Sequence, residues 1–271
     1  MPHCDPPNQA SRVEAGMKNA AGFRQEARGE REGSGFIQEP GSGMKTPAGL
    51  AAKTMAALAA MLLAMAAMLF LPAWSLRYWE AWIFWFEFAG LTVGITIYLL
   101  IKDPALVERR LAGGPTAEKE KSQQVIQSLA LFFFCALIVL PAIDHRLGWS
   151  HLSWPFVLLG HVLVAIGWFV IFLTFRENSF ASSIIEVDPE QRVVSTGPYR
   201  LVRHPMYAGA LVFMLGVPLA LGSWWGLLPW VALAAIILWR LLEEEAYLSR
   251  NLPGYTDYCA RTRYRLIPRI Y

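Results

Sequence analysis

The sequence predicts an all-α integral membrane protein of about six transmembrane helices, with its polar chemistry gathered in a cytoplasmic C-terminal region. Three observations predict it: composition, the length of the apolar runs and the placement of the basic residues. Of 271 residues, 55% are hydrophobic and only 17% charged, where an ordinary soluble domain carries about 25% charge. A disordered chain, a basic nucleic-acid-binding module and a water-soluble enzyme domain are excluded on that ground, and the formal net charge of +3 adds little. The apolar residues collect into runs that reach the ~20 residues a helix needs to cross a hydrocarbon core.

Residues 1–43 are polar and rich in Gly and Glu, with too little apolar content to fold alone, and read as a disordered tail. Met44, followed by Lys45 and a hydrophobic run, would serve as a start codon. Six apolar segments follow, at about 54–73, 81–101, 125–143, 154–175, 205–221 and 227–242. The first four make a transmembrane region over 44–175, and 176–271 forms a C-terminal region of its own. Segment one ends at Leu71-Pro72-Ala73-Trp74 without a small-residue cleavage pattern, so it reads as a retained span rather than a signal peptide. Trp74, Tyr78, Trp79, Trp82, Trp149 and Trp154 stand at segment ends, where interfacial aromatics belong. The last two segments are short arms around Gly222-Ser223-Trp224-Trp225-Gly226 and could form a helical hairpin that crosses only in part.

Basic residues set the orientation. Lys102, Arg109, Arg110, Lys119 and Lys121 lie in one connection, Arg176, Arg192, Arg200 and Arg203 in another, and five arginines follow residue 243. The alternate connections hold Arg77, then Arg146, then none, which predicts both termini in the cytoplasm. The expected location is a multi-pass membrane protein, in the inner membrane if the source is bacterial.

Within this face, 184–195 has β-branched flanks around Asp188-Pro189-Glu190-Gln191 and predicts a small β-hairpin. Pro205 suits the first position of a helix capped at His204, leaving first-turn N–H groups that favour a carboxylate or phosphate. Arg240 stands three and four residues before Glu243 and Glu244, so a charge pair on one helix face is available. Three adjacent carboxylates at a helix C-terminal end oppose its dipole, and a bound cation would explain them. Cys4, Cys135 and Cys259 have no metal-site or disulfide spacing, and no metal is expected. No span displays the paired charges of a transport path, and His161 reads as a packing residue inside the fourth segment.

The ordered set Gly197-Pro198-Tyr199, Arg203-His204-Pro205-x-Tyr207, Glu244-Glu245-x-x-Leu248, Gly254-Tyr255-x-x-Tyr258 and Pro268 resembles the isoprenylcysteine carboxyl methyltransferase family of membrane enzymes. It covers about residues 176–268. The resemblance implies an S-adenosylmethionine-dependent methyltransferase whose cofactor lies in a cytoplasm-facing pocket, and no G-x-G-x-x-G loop of a dinucleotide fold competes with that. It implies Tyr199, His204, Pro205 and Tyr207 around the cofactor, with Glu244 and Glu245 holding it from the opposite helix. It places Arg203 on the substrate side, Arg261 as the matching tail arginine, and Glu244 as a catalytic residue as well. The implied substrate is a lipophilic or lipidated molecule arriving from the bilayer, its carboxylate being methylated. A phospholipid N-methyltransferase is the related alternative, followed by a sterol-type reductase and a non-catalytic membrane protein.

Overall fold

The computed structural model describes residues 47–118, 120–185, 187–188 and 191–270, so the predicted tail over 1–43 lies outside the described residues. The described residues form eight α-helices and two short 3-10 turns, with no strand. The long helices are α1 (Pro47–Ala73), α2 (Trp79–Lys102), α4 (Lys121–Leu147) and α5 (Trp154–Glu177), each long and apolar enough to cross a membrane. Only 17–28% of the residues in their apolar windows are buried inside the protein. Leu63, Phe86, Phe132 and Phe169 are among the exposed apolar side chains, a surface that calls for lipid.

Local chemistry sets the helix ends. The short helix α3 (Pro104–Leu111) begins at Asp103, whose carboxylate accepts from the Leu106 N–H at 3.0 Å, with Pro104 where its missing N–H is harmless. Helix α4 stops at Gly148, which adopts φ 65° and returns its N–H to the Asp144 carbonyl at 2.8 Å. After the turn at Gly197–Arg200 come α6 (Pro205–Ala220), α7 (Leu227–Asn251) and α8 (Tyr255–Arg261). Helix α6 has 16 residues, too few for a full span, while α7 runs nine residues beyond the predicted apolar end at 242. Six helical segments are therefore present where six were predicted, and four of them have the length and composition of a span.

Helices α5 and α6 meet along small residues. Gly160 and Gly167 on α5 face Gly209 and Gly216 on α6 at matching seven-residue spacing, and a methyl group added at any of them would strike backbone of the other helix. Backbones approach this closely only where side chains are absent. The seam fixes the N-terminus of α6, and so the chemistry described below, against α5.

One expectation about the membrane region is corrected. His161 is not alone: its Nδ1 lies 2.6 Å from Oε2 of Glu87 on α2, a paired intramembrane carboxylate and imidazole. Neighbouring apolar residues mask Glu87 in the sequence, and only helix packing brings it to His161.

The predicted hairpin over 184–195 is also corrected. The Gln191 N–H donates to the Asp188 carbonyl at 2.9 Å, but the described residues of the segment form no strand. Near the start of the segment, side chains take backbone groups instead. The Ile185 N–H donates to Glu118 at 3.3 Å, and the Ser183 carbonyl accepts from Gln127 at 3.0 Å and Arg240 at 3.1 Å. Backbone satisfied in this way has no need of a ladder.

Candidate functional site

A polar cavity of about 280 Å³ opens where the N-terminus of α6 meets α7, α8 and the segment between α5 and α6. The floor is the first turn of α6, Pro205, Met206 and Tyr207, with His204 as the N-cap residue. One wall is Glu244 and Leu248 of α7, another is Tyr255 and Tyr258 of α8, and further lining comes from Arg110, Asn178, Tyr199, Arg240 and residues 180–185 and 191–194.

The three adjacent glutamates are divided by helical rotation into three tasks. Glu243 turns away from the cavity and accepts from Gln123 at 2.5 Å, Ser122 at 2.9 Å and the Trp239 indole at 2.8 Å, tying α7 to the start of α4. Glu244 lines the cavity and accepts from the Tyr207 hydroxyl. Glu245 is enclosed by basic side chains: Oε1 is 2.8 Å from Arg203 Nε and 3.1 Å from His204 Nε2, and Oε2 accepts from Arg265 Nε at 2.8 Å. The Arg203 Nε–H points off hydrogen-bond geometry in spite of the short distance, so that contact is an ion pair. Arg240, expected to pair within its own helix, pairs instead with Glu118 at 2.9 Å and donates to the Tyr207 hydroxyl at 3.2 Å.

The C-terminal tail is strapped over this junction. Arg203 and His204 donate their backbone N–H groups to the carbonyls of Tyr264 and Arg265, each at 2.9 Å. Of the residues expected at the site, Tyr199, Arg203, His204, Pro205, Tyr207 and Glu244 line the cavity. Glu245 and Arg261 do not. Both oxygens of Glu245 are engaged by protein cations, and Arg261 is exposed on α8, reaching only the Asp257 carbonyl at 3.4 Å. The tail arginine that enters the cluster is Arg265, four positions on. The chain leaves α8 at Thr262, and that change of direction carries Arg265 to the cluster.

Burial pushes the Tyr199 hydroxyl well above its ordinary range, against the hydrogen bond from Asn178 at 2.9 Å, and pushes Tyr258 up to about 12. Tyr255 is raised too, chiefly by burial. All three are neutral at physiological pH, so they offer aromatic faces and not a phenolate base, and the Tyr258 hydroxyl already donates to the Tyr199 carbonyl at 2.7 Å. The Tyr255 hydroxyl is buried without a hydrogen-bond partner at the cavity wall. Such an orphan is costly unless a guest answers it.

Burial raises the Glu245 carboxyl, but the hydrogen bonds from His204 and Arg265 and the charges of His204 and Arg203 outweigh it and hold the group down at about 2. A carboxyl lowered in the folded state stabilises the fold above its unfolded value and loses that contribution as pH falls through the folded value. The thermal stability of the detergent-solubilised protein should therefore fall between about pH 4.5 and pH 2, relative to Glu245→Gln, by up to about 3 kcal/mol. Parallel curves for the two proteins across that window would contradict the ion cluster.

The segment that builds this cavity matches a known family. Residues 155–253 match the phospholipid methyltransferase family. These are membrane methyltransferases, the group to which the motif resemblance pointed, and the matched residues run from the start of α5 to just past the end of α7. A curated relative, the nickel-cobalt-cadmium resistance protein NccN of Alcaligenes xylosoxydans xylosoxydans, is 27% identical over 115 residues, which is 42% of this chain and 54% of that protein. The chain thus spans about half the length of the curated relative it matches. Among the described residues, no group of three or more His, Cys, Asp or Glu side chains is placed to hold a metal ion.

The phospholipid methyltransferase match includes Tyr199, His204, Tyr207 and Glu244, but it ends before Tyr255, Tyr258 and Arg265 and begins after Arg110, Glu118 and Gln123. Sequence reasoning passed over Arg110, Asn178 and Glu118. They lie in connections between apolar segments, with no motif to single them out, and reach the site only through the fold.

Proposed function

We propose that this protein is an S-adenosylmethionine-dependent methyltransferase acting on a lipophilic acceptor, most readily a carboxylate of the isoprenylcysteine type. The observation that carries the reading is the polar cavity set directly beside an apolar one, with the floor of the polar cavity and its Glu244 wall supplied by the segment matched by a methyltransferase family. At about 280 Å³ the polar cavity is near the lower end of the ~300–1,000 Å³ usual for small-molecule sites. Its donor set suits the cofactor: first-turn N–H groups of α6 for the cofactor carboxylate, Glu244 and tyrosine faces for its cationic groups, and the orphan Tyr255 hydroxyl as a further donor.

When bound, S-adenosylmethionine supplies a methyl carbon on a cationic sulfur; the acceptor atom bonds to that carbon as the carbon–sulfur bond breaks and its electron pair stays on sulfur. This chain's residues would align the two partners and keep out water, which is where most of the gain in such a displacement lies. A carboxylate acceptor needs orientation and no base. An arginine at the cavity, such as Arg203, would supply it.

The description of the matched family favours a second reading, in which the acceptor is the amine of a phospholipid headgroup. Here the nitrogen must lose a proton, and Glu244, lining the cavity and held by the Tyr207 hydroxyl, is the available acceptor. In both readings the substrate enters from the bilayer and the site faces the cytoplasm.

Calorimetry with S-adenosylhomocysteine tests the cofactor site. The parent protein should bind it, and His204→Ala and Glu244→Gln should each weaken binding about tenfold or more, the loss of one hydrogen bond to a charged group. No binding by the parent would remove the proposal, and unaltered binding by both variants would remove the site. Radiolabelled methyl transfer into isoprenylcysteine analogues, beside phosphatidylethanolamine, separates the two acceptors.

A further inference from the structure

Arg110, at the end of α3, is the residue the site described so far leaves unexplained. With Met206 and Tyr207 it lines both the polar cavity and a second cavity of about 540 Å³ enclosed by α1, α2, α5 and α6. The walls of that second cavity are mostly aliphatic and aromatic, including Leu99, Ile171, Phe175 and Phe213. A cation thus stands at the mouth of an apolar slot.

No described residue neutralises it. The guanidinium lies over the Phe175 ring at 4.5 Å, and Nη1 donates to the Ala181 carbonyl at 3.1 Å and approaches the Met206 sulfur at 3.9 Å. To the described residues none of its other nitrogens donates a hydrogen bond, although a guanidinium carries five N–H groups. Among the described residues no carboxylate lies within ion-pair distance of it. The other half-buried arginines at the polar cavity are all compensated, Arg203 by Glu245 and Arg240 by Glu118, and Arg192 is exposed to solvent. Arg109, the neighbour on the same helix, pairs with Asp188 at 3.4 Å.

By surface area Arg110 is only half-buried, because the cavities touch it, yet protein surrounds it closely enough for burial to lower its pKa to about 10. It stays charged at neutral pH. A desolvated cation with spare donors and no counter-charge is costly to keep unless an anion visits it.

We propose that Arg110 anchors an anionic group, carboxylate or phosphate, on the lipophilic acceptor, whose apolar chain occupies the cavity between α1, α2, α5 and α6. The proposal rests on the reading of the polar cavity as the methyl-transfer site, and it makes Arg110 the residue that selects acceptors with an oxyanion at the junction. If the anion is the methylated carboxylate, Arg110 holds the reacting group. If it is a phosphodiester, Arg110 holds the headgroup beside the reacting amine.

The test uses the full chain in phosphatidylcholine nanodiscs, with calorimetric titration of N-acetyl-S-farnesylcysteine, its neutral methyl ester and dodecyl phosphate. The parent should bind the acid about tenfold or more tighter than the ester, the least expected of a charge-assisted bidentate contact. Arg110→Gln should abolish that preference, and Arg110→Lys should keep part of it. Tight dodecyl phosphate binding points to the phosphate source, and its absence beside acid binding points to the carboxylate.

Equal binding of acid and ester by the parent, with no tight binding of dodecyl phosphate, overturns the proposal whatever the variants do. So does an acid preference that survives in Arg110→Gln. S-adenosylhomocysteine affinity should be unchanged in Arg110→Gln, and its loss with the acid preference intact would assign Arg110 to the cofactor carboxylate instead. If the parent binds no S-adenosylhomocysteine yet prefers the acid, the methyltransferase reading fails while the anion anchor stands.

Discussion

Glu118→Ala is expected to lower the unfolding free energy by about 3–5 kcal/mol, the cost of leaving one member of a buried ion pair without its partner. The Glu118 side chain is 2% exposed and that of Arg240 13%. One carboxylate oxygen accepts from Arg240 Nη2 at 2.9 Å and from Gln127 Nε2 at 2.5 Å, and the other from the Ile185 N–H at 3.3 Å. Removing it therefore strands a guanidinium, an amide and a backbone N–H together. The damage reaches the site by a short path, since Arg240 also donates to the Tyr207 hydroxyl, which donates to Glu244. Chemical unfolding of the solubilised protein measures the first effect, and S-adenosylhomocysteine calorimetry measures the second.

The pair itself can be separated from its parts. A Glu118→Gln/Arg240→Met double variant, with no stranded charge, should recover much of the stability lost by Glu118→Ala, because well-packed neutral groups commonly match a buried pair. Stability of Glu118→Ala within about 0.5 kcal/mol of the parent, the range of ordinary surface substitutions, would mean that Glu118 is solvated rather than buried.

How much of this was legible in the sequence depends on whether a residue acts through its neighbours in the chain or across space. Apolar length alone locates α1, α2, α4 and α5, because the bilayer imposes a minimum that no other use of the chain requires. The start of α6 is legible as well, since Pro205 after His204 is a local cue and the structure begins the helix there. Local cues fail at the glutamates. Three consecutive carboxylates differ by about 100° of helical rotation each, and which one faces the cavity depends on where α7 lies against α4 and α6. The sequence pattern proposed Glu244 and Glu245, and only Glu244 lines the cavity. Arg261, taken from the motif resemblance alone, lies exposed at the end of α8 outside the cavity, because the chain leaves the helix at Thr262 and brings Arg265 to the cluster instead. The β-branched run over 184–195 misled because it is apolar for a cavity wall rather than for a sheet, and Ile184, Ile185, Val193 and Val194 all line the polar cavity. Glu87 with His161, and Arg110 with both cavities, are juxtapositions of segments far apart in the chain. No spacing rule reports them.

Gly167→Ala should destabilise the protein by about 1–3 kcal/mol, the usual cost of forcing atoms into a filled space, and Gly167→Leu should prevent the folded state from accumulating. An added Cβ at Gly167 would lie 2.4 Å from the Phe213 nitrogen and 2.6 Å from the Gly209 carbonyl oxygen. Both are backbone atoms, so no rotamer change relieves the clash, and α6 must move away from α5 by about 1 Å to restore van der Waals contact. Glycine in a helix otherwise costs stability relative to alanine, so the substitution would be favourable if the helices were free to part. Gly90→Ala and Gly94→Ala on α2 provide the comparison, since a Cβ at either meets nothing within 4 Å. These should be neutral or stabilising by about 0.5–1 kcal/mol. Displacing α6 also moves Tyr207 away from Glu244 and Arg240, so S-adenosylhomocysteine affinity should fall in Gly167→Ala and hold in Gly90→Ala. Equal melting temperatures for the two alanine variants in one detergent would mean that the seam is not the contact that sets the first turn of α6, and the site would need another support.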